Sequence, residues 1–462
     1  MSRRVLLYGV ALTMFVSGCA LRPPYHAPAP APATLQQAES PLFTTQKYDP
    51  LWWRQFQDPV LEHLEAAALS ANLDIRQAVA RVDQSRAMFD DVALDRFPVV
   101  GADASVDARD QVIPGFTDTP IRTTTYRAGL DLFWEIDLFG GVRSSINAAR
   151  ASAQSYEASL EDVRVAVAAE VARNYFELRG LQREMAVAER SLTNRQETLR
   201  LARVRRDAGL GEEQDVASAA ASVAAVEASI PPIRVGLAVQ QHRLAVLVGV
   251  RPGELTDDLS PRPYTVLMTS LPLGDSGSLL RRRPDVRVAE RRLAAAAARE
   301  GIAAADLFPR VSIAGFLGLI AGRGNLFGRA DSKAWAVTPA LSWVGTDLGS
   351  ARARLRGTQA ATREVQAAYE QTVLRAIEEA ENALASYREG QARLDRLMEQ
   401  ARESARAADL ARIRYREGVA DFLSLLDAER TQLAAEDGVA RAEASVFTGV
   451  VGVYEAFGGA GQ

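Results

Sequence analysis

The chain has 462 residues, 48% of them hydrophobic and 24% charged, which is enough for a large core and excludes a disordered composition. Its net charge of −4 lacks the basic excess typical of nucleic-acid binding, and its single cysteine, Cys19, excludes an intrachain disulfide. The three histidines form no cluster, so we predict no metal site and no cofactor.

The N-terminal residues 1–18 are typical of a signal peptide. Two arginines precede an apolar stretch, Val5 to Val16, that is too short to span a bilayer comfortably. Ser17-Gly18-Cys19 follows directly, and small residues before a cysteine resemble the lipobox of bacterial lipoproteins, in which the cysteine is acylated. An ordinary signal peptide with a chance cysteine, or an uncleaved anchor, is the alternative. Ala20, where inner-membrane lipoproteins often carry Asp, favours the outer membrane and its lipid.

The placement of proline indicates how the rest of the chain is organised. Alternating prolines over 27–32 predict an extended tether across 19–48, between the lipid and the body of the protein. No proline lies between Pro120 and Pro231 or after Pro339, and proline disrupts helix interiors, so a very long helix is predicted in each interval. A helix over 142–208 would be on the order of 100 Å long.

Both intervals show the four-three spacing of apolar residues that is typical of a coiled-coil seam. The first seam slips at Val171 and Tyr175 and resumes at Leu178. Many seam residues are alanine, which allows close helix packing. The first seam comprises Val142, Ile146, Ala149, Ala153, Tyr156, Leu160, Val163 and Val167. The second comprises Val373, Ile377, Ala380, Leu384, Tyr387, Gln391, Leu394, Met398, Ala401, Ala405 and Ala408.

A β-hairpin is predicted in front of each long helix. Apolar and mostly polar residues alternate from Tyr126 to Asp137, as on a strand with one polar face, and similar alternation occurs in three other segments. The predicted strands are 100–107, 126–137, 311–319 and 335–343, in hairpins of about 99–138 and 310–347 with loops at 113–120 and 322–329.

Several motifs recur about 210 residues apart, which indicates two copies of one unit. The recurring motifs are Phe97-Pro98 with Phe308-Pro309, Trp134 and Asp137-Leu138 with Trp343 and Asp347-Leu348, and Gly209 with Gly418. We therefore predict a first repeat over 49–250, a linker over 251–275 and a second repeat over 276–462.

Four strands from one chain are too few to close a barrel, and open sheet edges are not tolerated in lipid. One interpretation is a small soluble sheet that other parts of the protein cover. The tryptophans of the predicted strands and the lipobox instead favour a membrane barrel shared between chains. Two chains would give eight strands and a filled barrel, whereas three would give twelve and leave a lumen. Asp131, Glu135 and Asp137 are then the predicted acidic residues of a water-filled lumen.

A set of segments, in order along nearly the whole mature chain, carries a family resemblance. The segments are Leu51-Trp52-Trp53-Arg54-Gln55-Phe56-Gln57-Asp58-Pro59-Val60-Leu61, Asn72-Leu73-Asp74-Ile75, Trp134-Glu135-Ile136-Asp137-Leu138-Phe139-Gly140, Arg282-Arg283-Pro284-Asp285-Val286, Phe308-Pro309, Arg414-Tyr415-Arg416-Glu417-Gly418-Val419 and Leu425-Leu426-Asp427-Ala428. Together they are similar to the outer membrane efflux family of the TolC and OprM type, and the lipobox resembles its OprM and NodT-like lipoproteins. Two departures, Trp343 to Gly349 and Pro339, are expected to alter the second hairpin locally.

The resemblance implies a mainly α protein with membrane β structure. A long α-helical coiled-coil barrel in the periplasm would continue into a twelve-stranded outer-membrane β-barrel, formed by a homotrimer with four strands from each chain. Parts of 40–60, 249–275 and the C-terminus are expected to form an equatorial belt. The implied function is the exit duct of a tripartite efflux or type I secretion system, with a periplasmic adaptor (membrane fusion protein) and an inner-membrane pump of the RND, MFS or ABC type as partners. No enzymatic activity is implied, and the absence of a P-loop motif means that the pump must supply the energy.

The implied gate lies at the helix–helix turns, 206–211 and 416–420, where Gly209 and Gly418 are expected to cap helices with positive φ. Leu423 and Asp427 share a helix face and resemble the hydrophobic constriction and the acidic ring of OprM-type channels. Their spacing alone equally allows a packing leucine and a solvated aspartate. The resemblance further implies latching contacts from Tyr415, Arg412 and Glu417, and adaptor contacts from Gly209, Leu210, Gly418 and Val419.

Two other function classes stay open at this point. A periplasmic adaptor is also a lipoprotein with a coiled-coil hairpin, but it would have one hairpin beside a lipoyl-like domain. A structural envelope lipoprotein would lack the alternating strands and their acidic face.

Overall fold

The computed structural model describes Tyr25 and residues 27–28, 35–46, 49–112, 114–115, 118–262, 270–274 and 279–459. The predicted signal peptide over 1–18, the acylation site Cys19 and half of the predicted tether over 19–48 lie outside the described residues. Within them the fold is mainly helical and carries one four-stranded sheet.

The described elements follow the order helix, helix, strand, strand, helix, helix, and then the same order again. A two-residue strand, β1 (Phe43–Thr44), comes first. The first succession is α1 (Pro59–Ala71), α2 (Leu73–Leu94), β2 (Val99–Gln111), β3 (Ile121–Ile136), α3 (Gly141–Asp207) and α4 (Glu213–Leu247). After β4 (Leu271–Pro272), which pairs with β1 in parallel, the second is α5 (Leu279–Arg282), α6 (Pro284–Ala305), β5 (Arg310–Ala321), β6 (Lys333–Ser342), α7 (Leu348–Arg416) and α8 (Phe422–Ala456).

The chain divides into two compact units, of which one contains the sheet with residues 81–157 and 288–370. The other contains residues 30–80, 158–287 and 371–462, and it holds the large apolar core. The Trp52-Trp53 motif forms the aromatic part of this core, because Trp52 stacks on Tyr454 with ring centroids 5.1 Å apart. The segments around 43–53, 248–273 and 450–457 all contribute buried residues to it.

The long helices confirm the predicted ones, since α3 covers 141–207 and α7 contains the whole second seam. The seam positions themselves are confirmed only in part. Ala380, Leu384 and Tyr387 are fully buried, whereas Tyr156 and Met398 are about half exposed in this chain. A straight helix of 3.6 residues per turn drifts from a repeat of 3.5, so the buried stripe of the long helices leaves the predicted positions. Val171 and Tyr175, where the first seam slips, are buried because α3 is surrounded by apolar core there.

Proline does not interrupt every helix of this chain, because α4 continues through Pro231 and Pro232. Each proline removes one intrahelical N–H donor. The hydroxyl of Ser229 donates to the carbonyl of Val226 at 2.7 Å, which adds a hydrogen bond in the same turn. Of the described helices α4 alone is long and apolar enough to span a membrane, and one such helix is weak evidence for a span.

The four long strands confirm the two predicted hairpins and join them in one antiparallel sheet of order β2-β3-β5-β6. The second hairpin ends at Ser342 rather than 347, and a 3₁₀ turn at Gly345–Asp347 leads into α7. Pro339 does not interrupt the ladder, which runs without a break from Lys333 to Ser342. A proline is tolerated there because β6 lies at an edge of the described sheet, where one side of the strand has no ladder bonds.

Candidate functional site

The turns after the two longest helices have the same backbone structure. Gly209 follows α3 with φ 73° and Gly418 follows α7 with φ 75°, as predicted for C-terminal caps. The amide of Leu210 donates to the carbonyl of Arg205 at 2.8 Å, and the amide of Val419 donates to that of Arg414 at 3.0 Å. These are Schellman motifs, in which the residue after the glycine bonds back across the last turn of the helix.

A small aromatic cluster joins the two turns. The guanidinium of Arg205 lies 4.9 Å from the ring centroid of Tyr415 and donates to the Tyr415 carbonyl at 2.9 Å. Tyr415 also packs edge-to-face on Phe422 with centroids 5.6 Å apart. Its ring is buried, and its hydroxyl has no hydrogen-bond partner among the described residues. Burial, together with the negative charge of Asp215, raises the pKa of the Tyr415 phenol.

Leu423 and Asp427 lie on the first two turns of α8, which begins after the turn at Gly418. Asp421 caps this helix by accepting from the Ser424 amide at 2.6 Å, and that hydrogen bond lowers the pKa of its carboxyl. Leu423 is 61% exposed. Asp427 is exposed too and pairs with Arg430 at 3.0 Å. One exposed face of α8 therefore carries a large apolar side chain one turn before a carboxylate.

A groove of about 710 Å³ separates this face of α8 from α4. Its walls are mainly apolar or small. The α8 wall includes Leu423, Leu426 and Asp427, and the α4 wall includes Ala221, Ser222 and Ala225.

The other predicted gate residues lie in different environments. Arg412 is partly buried, and it pairs with Asp409 at 2.8 Å and with the buried Glu429 at 3.3 Å. Glu417 is exposed at the turn. The structure thus brings Arg412 and Tyr415 into the packing between helices, whereas Glu417 lies at the surface.

The apolar residues of the turns are among the most exposed in the chain. Leu210 is 70% exposed and Val419 is 65% exposed. Each of these residues directly follows the glycine that caps its helix.

The sheet has one apolar and one mostly polar face. Residues at one register lie on the same face, and one such row consists of Ala102, Leu130, Leu317 and Trp335. The opposite face of the sheet carries Arg127, Asp131 and Glu135 of β3, together with Asp103 and Thr338.

Of the predicted acidic positions, Asp131 is ion-paired and Asp137 lies outside the strand. Asp131 is not a free carboxylate, because Arg127 forms ion pairs with both Asp131 and, at 3.0 Å, Asp103. Asp137 lies beyond the end of β3 and accepts from the amides of Val142 and Arg143 at 3.2 and 3.0 Å. It caps the start of α3, where a carboxylate satisfies free amides, so it is not an alternating strand residue.

Arg127 is held by an arrangement that the sequence analysis missed. Its guanidinium lies 4.1 Å from the ring centroid of Phe316, and that ring covers Gly129 and Gly318 of the neighbouring strands. Glycine inside a strand is the signal that would have indicated this close approach.

The described residues contain no group of three or more histidine, cysteine, aspartate or glutamate side chains that could hold a metal ion. Glu429 is a further buried residue that the sequence patterns did not indicate.

Comparison with known proteins gives consistent matches over almost the whole chain. The profile of the outer membrane efflux protein family matches residues 64–250 and again 276–459. The antibiotic efflux pump outer membrane protein ArpC of Pseudomonas putida is 30% identical, over 98% of this chain and 95% of the relative. The solved outer-membrane channel OprN is 47% identical, with a TM-score of 0.94 over 96% of this chain and 99% of that one. The open state of the MtrE outer membrane channel of Neisseria gonorrhoeae is 29% identical, with a TM-score of 0.86 over 96% of this chain and 98% of that one.

Proposed function

The chain belongs to the outer membrane efflux protein family, and we propose that it acts as the gated exit duct of a tripartite efflux system. Its strands then lie in the outer membrane and its long helices in the periplasm. The observation that carries the proposal is the four-stranded sheet, which has an apolar face, a polar face and two unpaired edges. In lipid such edges must be paired with strands of other chains.

A homotrimer satisfies these edges. Three copies of the four-stranded sheet give twelve strands, which enclose a lumen wide enough for water rather than a core filled by side chains. The polar face with Asp103, Arg127, Asp131 and Glu135 then lines the lumen, and the apolar face with Leu130 and Trp335 contacts lipid. The resemblance to OprN and MtrE supports this assembly.

Leu423 and Asp427 form the gate of the duct. Exposed leucines from three chains around one axis narrow and dewet a pore, and the carboxylates one turn further attract cations. The exposure of both side chains on one face of α8 supports this role. Tyr415 and Arg412 anchor the helices behind the gate, and Glu417 contributes at the surface of the turn.

Cys19 carries the lipid anchor, and the helix turns contact the periplasmic adaptor through Leu210 and Val419. The exposure of these two side chains supports a protein contact. The adaptor and an inner-membrane pump, of the RND, MFS or ABC type, complete the system. The energy comes from the pump, because the chain has no nucleotide-binding motif.

The assembly is tested on the full chain, expressed with its signal segment and solubilised in mild detergent. We expect it in the outer-membrane fraction, with the mass of a trimer by light scattering and with labelling by a radioactive fatty acid that Cys19→Ser abolishes. A monomer, or a protein that stays in the inner-membrane fraction, would contradict the proposal. A trimer without fatty acid would retain the duct and exclude the anchor.

A further inference from the structure

The face of α8 opposite the proposed gate carries a buried acid. Glu429 lies two residues after Asp427, which on an α-helix corresponds to a rotation of about 200°. It shares its face with Phe422 and Leu425, which are buried, whereas Leu423 and Asp427 are exposed. The side chain of Glu429 is only 5% exposed.

One oxygen of this carboxylate joins three helices. Oε1 of Glu429 accepts from the hydroxyl of Thr198 on α3 at 3.0 Å and from Nη2 of Arg412 on α7 at 3.3 Å. Hydrogen bonds to an ionised group are stronger than neutral ones, and the surrounding low dielectric strengthens them further. Glu429 therefore fixes both the position and the rotation of α8 against its neighbours.

The same cluster contains an unmatched donor and acceptor. Oε2 of Glu429 and Nε of Arg195 are buried and have no hydrogen-bond partner among the described residues. Arg195 lies on α3 three residues before Thr198, so the two side chains share a helix face. Its Nη1 donates to the hydroxyl of Ser222 on α4. Buried polar groups are normally paired, and an arrangement that joined this donor and this acceptor would satisfy both.

The groove between α4 and α8 provides the space for such a rearrangement. The residues that line the groove include Arg195 of α3, Ser222 of α4, and Leu423 and Leu426 of α8. A shift of α8 that exchanged Arg412 for Arg195 as the partner of Glu429 would also move Leu423, because Glu429 and Leu423 lie near the start of the same helix.

We propose that Glu429 is the positioning residue of the gate, which holds α8 on α3 and α7 through Thr198 and Arg412 and exchanges Arg412 for Arg195 when α8 moves. This inference rests on the proposed function, in which Leu423 forms the constriction. In the arrangement seen here Glu429 presents Leu423 and Asp427 on the exposed face. Weakening its contacts should therefore favour the alternative arrangement.

The test uses full-length trimers in planar lipid bilayers, where only assembled channels conduct. Glu429→Gln keeps the size of the side chain and removes its charge, and Thr198→Val removes only the hydroxyl donor. We expect the ratio of open to closed times to change about tenfold in Glu429→Gln, equivalent to about 1.4 kcal/mol, and to change less in Thr198→Val.

Glu436→Gln is the matched control. Glu436 also joins α8 to α3, through Arg190 at 3.2 Å, but it lies two turns further along α8 at a more exposed position. It should conduct like the wild type.

The variant Leu423→Ala in the same bilayers separates the two levels of the proposal. If Leu423→Ala changes conductance and both Glu429→Gln and Thr198→Val leave gating unaltered, the gate stands and the role of Glu429 is wrong. If Leu423→Ala has no effect, the proposed gate itself is wrong and the inference falls with it. A lower melting temperature of Glu429→Gln with unchanged gating, or an equal effect of Glu436→Gln, would reduce Glu429 to a structural contact.

Discussion

At the residue scale, the glycines after α3 and α7 act through the backbone alone. A Cβ on Gly209 would have no atom within 4 Å, yet its φ of 73° is unfavourable for L residues. The expected cost of Gly209→Ala is therefore backbone strain of about 1–2 kcal/mol. Hydrogen exchange at the last turn of α3 should become faster in Gly209→Ala and change less in Gly209→Asn, because asparagine tolerates this conformation. Equal protection in all three proteins would contradict the cap.

Glu65 is a second residue whose environment makes a specific prediction. It is fully buried on α1, and neither of its carboxylate oxygens has a hydrogen-bond partner among the described residues. Burial raises its pKa well above the usual 4.5, so the folded protein binds a proton there more tightly than the unfolded chain does. This group stabilises the fold fully below pH 4.5, and its contribution falls as the pH rises from there through the folded-state pKa.

Glu65→Met removes the buried carboxyl at similar volume and should raise the free energy of unfolding by about 1–3 kcal/mol at pH 8. The difference from wild type should shrink towards pH 4. Urea unfolding of detergent-solubilised protein across this range measures it, with Glu62→Met on the same helix as the control that leaves the pH dependence in place. If the difference in free energy of unfolding between wild type and Glu65→Met were the same at pH 8 and at pH 5, the Glu65 carboxylate would have a partner.

The residues that sequence alone indicated correctly are those with a local signal. Gly209 and Gly418 follow long apolar periodicities, which indicate helix ends, so their positive φ was predictable. Asp137 was misassigned because the alternation of polar and apolar residues continues one residue past the end of β3 at Ile136. At that position Asp137 already caps α3. Glu65 and Glu429 were not found, because a glutamate in a helical sequence pattern is normally expected to be solvent-exposed. Only tertiary packing buries these two.

At the element scale, the close approach of β3 and β5 depends on two glycines. A Cβ on Gly318 would lie 2.3 Å from the carbonyl oxygen of Ala128 and 2.5 Å from the Cα of Gly129. Gly318→Ala must therefore displace β5 from β3, because moving the ring of Phe316 would not relieve the contacts with the backbone. Gly101 lies on the same face of β2, and a Cβ there would meet nothing within 4 Å.

We expect Gly318→Ala to reduce the yield of folded protein in the outer membrane several-fold, since the clash falls on backbone in the middle of the ladder, whereas Gly101→Ala should assemble like wild type. Resistance of the membrane fraction to heat and detergent on a gel measures both. Normal assembly of Gly318→Ala would mean that β3 and β5 are further apart than described.

Helices and strands were predictable here because their periodicities are long and regular. The bounds of α3 differ from the predicted 142–208 by one residue at each end. The details of packing were not predictable, as Tyr156 shows, because one helix face contacts different neighbours along its length. α4 continues through Pro231 and Pro232 although proline disrupts helix interiors. Contacts with α3 hold α4 before the prolines at Ser222 and after them at Gln240 and Arg243.

At the scale of the whole molecule, one chain presents features that the proposed trimer accounts for. Two strand edges of the described sheet are unpaired, the sheet exposes leucine, valine and tryptophan on one face, and Leu423 is exposed on α8. The count of strands indicated a barrel shared between chains, and the choice of three chains rather than two came from the resemblance to the family. The partners and the gate came from the resemblance to the family, because neither periodicity nor spacing distinguishes a pore-lining leucine from a packing one.

The most direct test of the account is the single-channel conductance of purified trimers in planar bilayers, compared between wild type, Leu423→Ala and Asp427→Ala. The account predicts a small, cation-preferring conductance in the wild type. It predicts a larger conductance in Leu423→Ala, because the apolar constriction widens, and a weaker cation preference in Asp427→Ala, because the carboxylate ring is lost. Well-folded trimers that do not conduct in any of the three forms would contradict the account.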